Sequence, residues 1–169
     1  MAFIRNGSTV ISFAEYQDVL DADQRLFDTN EGLSDDVVEA ALIRSTERIL
    51  NKLRGTSWWH SYYIKRDSSL QVTTRADIPA LNINKIKDRY NDFTDLCVAT
   101  AMAEYILPKV ANFASEENEE RQKMGYYAQR AESLFGELIT AGDWYDFDGS
   151  GAISSSEKSP GVYNLKRVR

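Results

Sequence analysis

Two helical patterns lie back to back between residues 13 and 59, each with a signalled start, and they commit this part of the chain to a compact helical scaffold. Ser12 and Glu15 have the S-x-x-E spacing of a capping box, in which hydroxyl and carboxylate accept backbone N–H groups left open by a first helical turn. The helix predicted from there covers 13–28, with Phe13, Tyr16, Val19, Leu20 and Phe27 as an apolar stripe. Its other face is acidic: Glu15, Asp18, Asp21, Asp23 and Asp28. A short loop, 29–33, leads to a second cap at Ser34. Leu33 before that cap and Val38 four positions into the helix have the spacing of a hydrophobic staple. The run DDVVEAALIRSTERILNKLR then places Val38, Ala41, Leu42, Ile49 and Leu53 near one face and stops at Gly55.

The next section changes character. WWHSYYI and LQVTT are aromatic and β-branched with polar RDSS between them, which predicts a hairpin over 58–74. Helical spacing resumes over 88–107, through Tyr90, Phe93, Leu96, Cys97, Ala101, Tyr105 and Ile106, until Pro108 kinks or ends it. Ser115 can cap a last long helix to Ala141, with Met124, Tyr127, Ala128, Ala131, Leu134, Phe135 and Leu138 as its core stripe and Gly142 as its stop. The fold class expected is therefore mainly α: a compact domain of about four helices with a small β-hairpin and extended terminal arms. Residues 1–11 read as a mobile or strand-like arm, 12–142 as the helical domain, and 143–169 as an acidic loop followed by a basic arm.

Composition narrows the function classes. The net charge of -6 argues against non-specific wrapping of DNA or RNA, which needs clustered Lys and Arg. A single cysteine, Cys97, allows no internal disulfide and no cysteine-based zinc site. No apolar run approaches the roughly 20 residues of a membrane span, and MAFIRNGSTV does not read as a secretory signal, so synthesis in the cytoplasm is expected. His60 is the only histidine and no nucleophile-elbow sequence accompanies it. Neither G-x-x-x-x-G-K-[ST] nor G-x-G-x-x-G occurs, so no nucleotide site is indicated. Cys97, on an Ala-rich helix, reads as a small buried hydrophobe. No catalytic set emerges, and the expectation is a protein that is not an enzyme.

Three features carry interaction chemistry. Trp58, Trp59, Tyr62 and Tyr63 form an aromatic cluster, read either as a hot-spot surface for a partner or as the inner face of the hairpin. DFDGSGAISSSE matches the EF-hand loop. Asp146, Asp148 and Ser150 stand at ligand positions 1, 3 and 5, Gly151 at the sharp turn, Ala152 at the carbonyl position 7 and Glu157 at position 12. Alternating oxygen ligands are what calcium, a hard cation, requires. Against this, Pro160 follows too soon for an exit helix, Ser150 replaces a carboxylate, and there is no second loop, so an acidic linker is the other reading. Residues 158–169 hold Lys158, Lys166, Arg167 and Arg169 and no acid, with Val162, Leu165 and Val168 between them. They read as an arm docking on an acidic, apolar neighbour such as Asp18, Asp21 or Asp28 of another copy, or else as a solvated end.

The sequence FAEYQDVLDADQRLFD, then LSDDVVEAALIRSTERILNKLRGTSWW, then a small-residue helix running into Tyr105-Ile106-Leu107, resembles the head-completion or head–tail connector proteins of tailed bacteriophages. The resemblance covers residues 13–141 and lies in helix order and residue texture. It implies a small helical subunit without a required cofactor that forms a ring, often twelve-fold, below the portal. Such a ring completes the DNA-filled head, extends the channel around packaged DNA without reading its sequence, and presents the surface for a tail-completion or tail-terminator protein. Its location would be the neck of the virion. Portal and neighbour contacts would fall to 1–11, 58–74 and 158–169. A calcium-responsive binding module and a phage DNA-binding accessory protein are the alternatives from other classes.

Overall fold

The computed structural model describes residues 4–6, 8–29, 32–66, 74–113, 119–155 and 157–158. They are mainly helical, with one two-stranded antiparallel sheet. Strands β1 (Ile4–Asn6) and β2 (Thr9–Ser12) pair Arg5 with Val10 and Asn6 with Thr9. Helices follow at α1 (Tyr16–Ala22), α2 (Gln24–Thr29), α3 (Asp35–Arg54), α4 (Ser57–Arg66), α5 (Tyr90–Ala101), α6 (Leu107–Val110) and α7 (Glu119–Ala141). The packing groups into two compact units that interleave in sequence, 1–49 with 89–138, and 50–88 with 139–169. The linear division at 12 and 142 does not see this interleaving.

The first unit is organised around the chain leaving the hairpin. The expected helix 13–28 is divided: Phe13 and Ala14 are buried and non-helical, α1 starts only at Tyr16, and the chain breaks at Asp23 before α2. Ser12 is not the cap. Its hydroxyl donates to the Ala14 carbonyl at 2.7 Å, while the Glu15 N–H is taken by the Asp18 carboxylate at 2.9 Å. A non-sheet backbone buried at Phe13 must find partners elsewhere. Its N–H donates to Thr46 Oγ1 of α3 at 3.0 Å, and its carbonyl accepts from Thr94 Oγ1 of α5 at 2.8 Å. In the same unit Val19, Val38, Leu42, Phe93, Leu96 and Ile106 are all buried, and the Phe13 and Phe93 rings lie 5.0 Å apart. The staple residues Leu33 and Val38 are both buried, as their spacing implies. Thr46→Val keeps the shape but strands the Phe13 N–H, so a loss of about 1–3 kcal/mol is expected in urea unfolding. A loss below about 0.5 kcal/mol would show that the Phe13 amide is not held by this hydroxyl.

Pro108 neither ends the helix nor stands where α5 stops. Between α5 and α6 the helix widens into a π-helical turn, Met102–Ile106, closed by a bond from the Leu107 N–H to the Met102 carbonyl. Pro108 has no N–H and would crowd the preceding carbonyls of a tight helix, and the wide turn immediately before it accommodates the ring. The helix then runs on to Val110. At the other end of this unit the expected α7 stripe is only partly buried. Tyr127 and Leu138 are buried, Met124, Ala131, Leu134 and Phe135 are half-buried, and Ala128 is exposed. α7 is tied down by discrete polar links as well: Lys123 to Asp23 at 2.7 Å, Tyr127 to the Ala22 carbonyl at 3.4 Å, and Arg130 to Asp95 at 3.5 Å. The proposed cap at Ser115 lies outside the described residues.

In the second unit the predicted hairpin over 58–74 is a helix as far as Arg66, and 67–73 lie outside the described residues. Two residues per ring pair decide it. Trp58 and Trp59, neighbours in sequence, are both buried with their rings 6.0 Å apart, whereas a strand would send them to opposite faces, and Trp59 meets Tyr63, four residues on, edge-on at 5.1 Å. Thr56 starts the helix: its hydroxyl accepts the Trp59 N–H at 3.3 Å and its carbonyl the His60 N–H at 3.1 Å.

Candidate functional site

The acidic loop after α7 is where ionisable chemistry concentrates. α7 stops at Ala141, and Gly142 follows with φ of 58°. The chain then runs extended rather than passing from helix straight into loop as an EF-hand does. Tyr145 bridges Ile86 in an antiparallel pair, with Lys87 N–H to Trp144 carbonyl and Asp146 N–H to Lys85 carbonyl both at 2.9 Å. Aromatic packing drives this docking. Phe147 stacks on Tyr62 at 3.8 Å and on Trp59 at 5.4 Å, and Trp144 stacks on Trp58 at 4.5 Å. Four consecutive residues, Trp144, Tyr145, Asp146 and Phe147, are thus buried on both faces of the segment.

Asp146 and Glu157 are each 1% exposed, and Asp148 is exposed. One carboxylate oxygen from each of the three lies within 4.8 Å of the others. Burying two like charges this close requires compensation. The loop supplies it from its own amides. Asp146 Oδ1 accepts from Gly149 N–H at 2.7 Å and Ser150 N–H at 3.1 Å, and Oδ2 from Gly151 N–H at 2.8 Å. Glu157 Oε1 accepts from Asp148 N–H at 3.0 Å, and Oε2 from the Ser154 N–H at 2.8 Å and hydroxyl at 2.7 Å. Aiming successive amides inward demands left-handed backbone, which Gly149 (φ 78°) and Gly151 (φ 91°) provide. Lys85 adds a cation, its ammonium donating to the Phe147 carbonyl at 2.9 Å. Ser150 and Ala152, expected as ligands, are bonded to one another, hydroxyl to carbonyl at 2.9 Å.

Burial by itself would raise both carboxyl pKa values. The Gly151 and Gly149 amides outweigh it at Asp146, and the Ser154 and Asp148 amides outweigh it at Glu157, so both lie below their ordinary values of 3.8 and 4.5. A depressed carboxyl contributes stability that is present above its unfolded pKa and lost as pH falls through its folded one. Protection of the Gly149 and Gly151 amides, relative to their intrinsic exchange at each pH, is therefore expected to hold from neutral pH down to about 5 and to fall below about 4. Loosening on the alkaline side instead, with none in acid, would contradict this.

The other candidate residues separate clearly. Trp58 and Trp59 are 5% and 0% exposed, so the hot-spot reading is corrected for them: their rings are spent on the second unit's own core. Tyr62 and Tyr63 are half-buried in the same cluster. His60 Nε2 donates to the Arg54 carbonyl at 2.8 Å, a structural bond at a helix end. Cys97 is buried, and burial pushes its thiol up to about 11 despite the Thr46 hydroxyl contact at 3.4 Å, so it is protonated at neutral pH. Asp18 and Asp21 line a cleft of about 600 Å³ in the first unit, between α1, α5 and α7, which the sequence reading did not anticipate. Lys166, Arg167 and Arg169 lie outside the described residues. No helix among the described residues is long and apolar enough to cross a membrane. Comparison of the chain with protein-family models, curated protein sequences and solved structures returned no match.

Proposed function

We propose that this chain is a structural virion protein of a tailed bacteriophage, one that binds the portal ring, completes the DNA-filled head and forms the interface for tail attachment. The observation that carries the proposal is the helix order: 13–28 spans α1 and most of α2, 33–59 spans α3 and the start of α4, and the helix through 107 contains α5. The role is one of assembly rather than catalysis. His60 and Cys97, the residues a nucleophilic site would draw on, are held by structural contacts. Partners would be the portal, copies of the chain in a ring, a tail-completion or tail-terminator protein, and packaged DNA lining the channel. The working location would be the virion neck. A phage carrying a deletion of this gene should make filled or leaking heads that accept no tails, and purified protein should restore tail joining. Normal virions from the deletion would reject the proposal.

Calcium binding is a second reading, favoured by the three carboxylate oxygens within 4.8 Å. Asp146, Asp148 and Glu157 would be the ligands, and binding would require Glu157 to give up amides it now accepts. Affinity would then be weak, about 10⁻⁴ to 10⁻³ M. Calorimetry of wild type against Glu157→Gln at millimolar calcium tests it, and equal, negligible heats would remove it.

A further inference from the structure

We infer that the cleft between α1, α5 and α7 is the receptor for the basic segment 158–169 of a second copy of this chain. The inference rests on the proposal that copies of the chain meet, and it adds where they meet. The cleft holds about 600 Å³, the size of a small-ligand pocket, so it would seat a few side chains of the segment rather than its whole length. Its lining holds three carboxylates, Asp18, Asp21 and Asp95, and one guanidinium, Arg130, so two negative charges are left over. Arg130 reaches Asp95 at 3.5 Å across α7 and α5, and Lys123 reaches Asp23 at 2.7 Å at the end of α1. The rest of the lining is mixed, with Asn91 and Thr94 beside Val98 and Tyr127, and the adjoining Tyr126 ring is exposed, 5.2 Å from Tyr127.

A surface that interleaves carboxylates with aliphatic and aromatic groups recognises cations carried on apolar stems. Arginine and lysine are such groups, and aromatic faces add cation–π attraction. The segment Leu165-Lys166-Arg167-Val168-Arg169 interleaves cations with apolar residues in the same way, and 158–169 contain four bases and no acid. Few other segments fit: most stretches of this acidic chain would bring their own carboxylates into the cleft. Charge complementarity of this kind steers encounter and fixes register, and it weakens as salt rises.

The experiment uses the full chain. Sedimentation velocity at about 50 mM salt should show self-association that weakens roughly tenfold or more at about 500 mM. Asp21→Lys with Asp95→Lys should abolish it, and so should Arg167→Glu with Arg169→Glu. Asp21 is exposed and the Asp95 side chain is 56% exposed, so both acids can be reversed at the surface, with loss of the solvent-exposed Arg130 link, whereas Asp18 is kept because it caps α1. Thermal melts by circular dichroism confirm that each variant is folded. Mixing the two non-associating variants should then restore association, because reversed cleft and reversed segment complement each other between chains. A wild-type chain that stays monomeric at about 100 µM, or variants that lose association singly and do not regain it on mixing, would overturn the inference. The two proposals fail separately. Recovery on mixing alongside normal virions from a deletion phage keeps the cleft and removes the connector role. A defective deletion without cleft-dependent association does the reverse.

Discussion

Trp59→Ala is expected to cost about 3–5 kcal/mol, the largest loss of any single truncation in the second unit. The indole is fully buried. It meets Tyr63 edge-on at 5.1 Å, Tyr145 edge-on at 5.0 Å and Phe147 in a stack at 5.4 Å. Its N–H donates to the Pro79 carbonyl at 2.9 Å, joining α4 to the segment before Tyr145's partner strand. Truncation removes the transfer free energy of the ring, leaves a cavity lined by rings too stiff to collapse, and orphans a carbonyl. Trp59→Phe retains most of the ring contact and loses the hydrogen bond, so its cost should be nearer 1–2 kcal/mol. Urea unfolding followed by near-ultraviolet circular dichroism separates the two. If alanine costs less than about 1 kcal/mol, the aromatic cluster is not the core of this unit.

Asp146→Ala is the second large effect, expected at about 2–4 kcal/mol, with rapid amide exchange at Gly149, Ser150 and Gly151. The three amides that converge on this carboxylate cannot pair with one another, and they would be left beside a buried space. Asp148→Ala should cost under about 1 kcal/mol, because that side chain is exposed and accepts only the Ser150 N–H, at 2.8 Å, among the bonds described. Both variants are to be measured in chelator. Equal losses there would mean that the amide cradle does not hold the loop. Unequal losses in chelator that become equal in calcium would instead assign the loop a cation on top of its scaffold role.

α3 was fully legible because everything that makes it local lies within it: a staple at Leu33 and Val38, acids in the first turn, an apolar residue every three or four positions and a stop at Gly55. The loop spacing from Asp146 to Glu157 was legible for the same reason. The hairpin assigned to 58–74 is a helix through Arg66 because two adjacent rings, Trp58 and Trp59, are both buried, which a one-sided strand does not allow and aromatic, β-branched composition did not reveal. Ring type biases a segment toward strand, but which rings can share one face decides what it buries. The strand pairing of β1 with β2 falls in the segment read as a mobile or strand-like arm and runs one residue past it to Ser12.

What the sequence determined by itself is therefore the mainly helical class, the long helices with their own start and stop signals, and the acidic loop with glycines where amides must turn inward. Tertiary structure alone decided three things. It decided that Phe13 is pinned by Thr46 and Thr94, that Asp146 and Glu157 are neutralised by loop amides once Tyr145 docks beside Ile86, and that Asp18, Asp21 and Asp95 converge on one cleft. The physical reason is range. Helix periodicity, caps and turn glycines act over a few residues of chain, so they leave a trace in the string. Hydrogen-bond compensation and charge convergence act between residues tens of positions apart, and nothing in their local neighbourhoods records which partner the packing will bring.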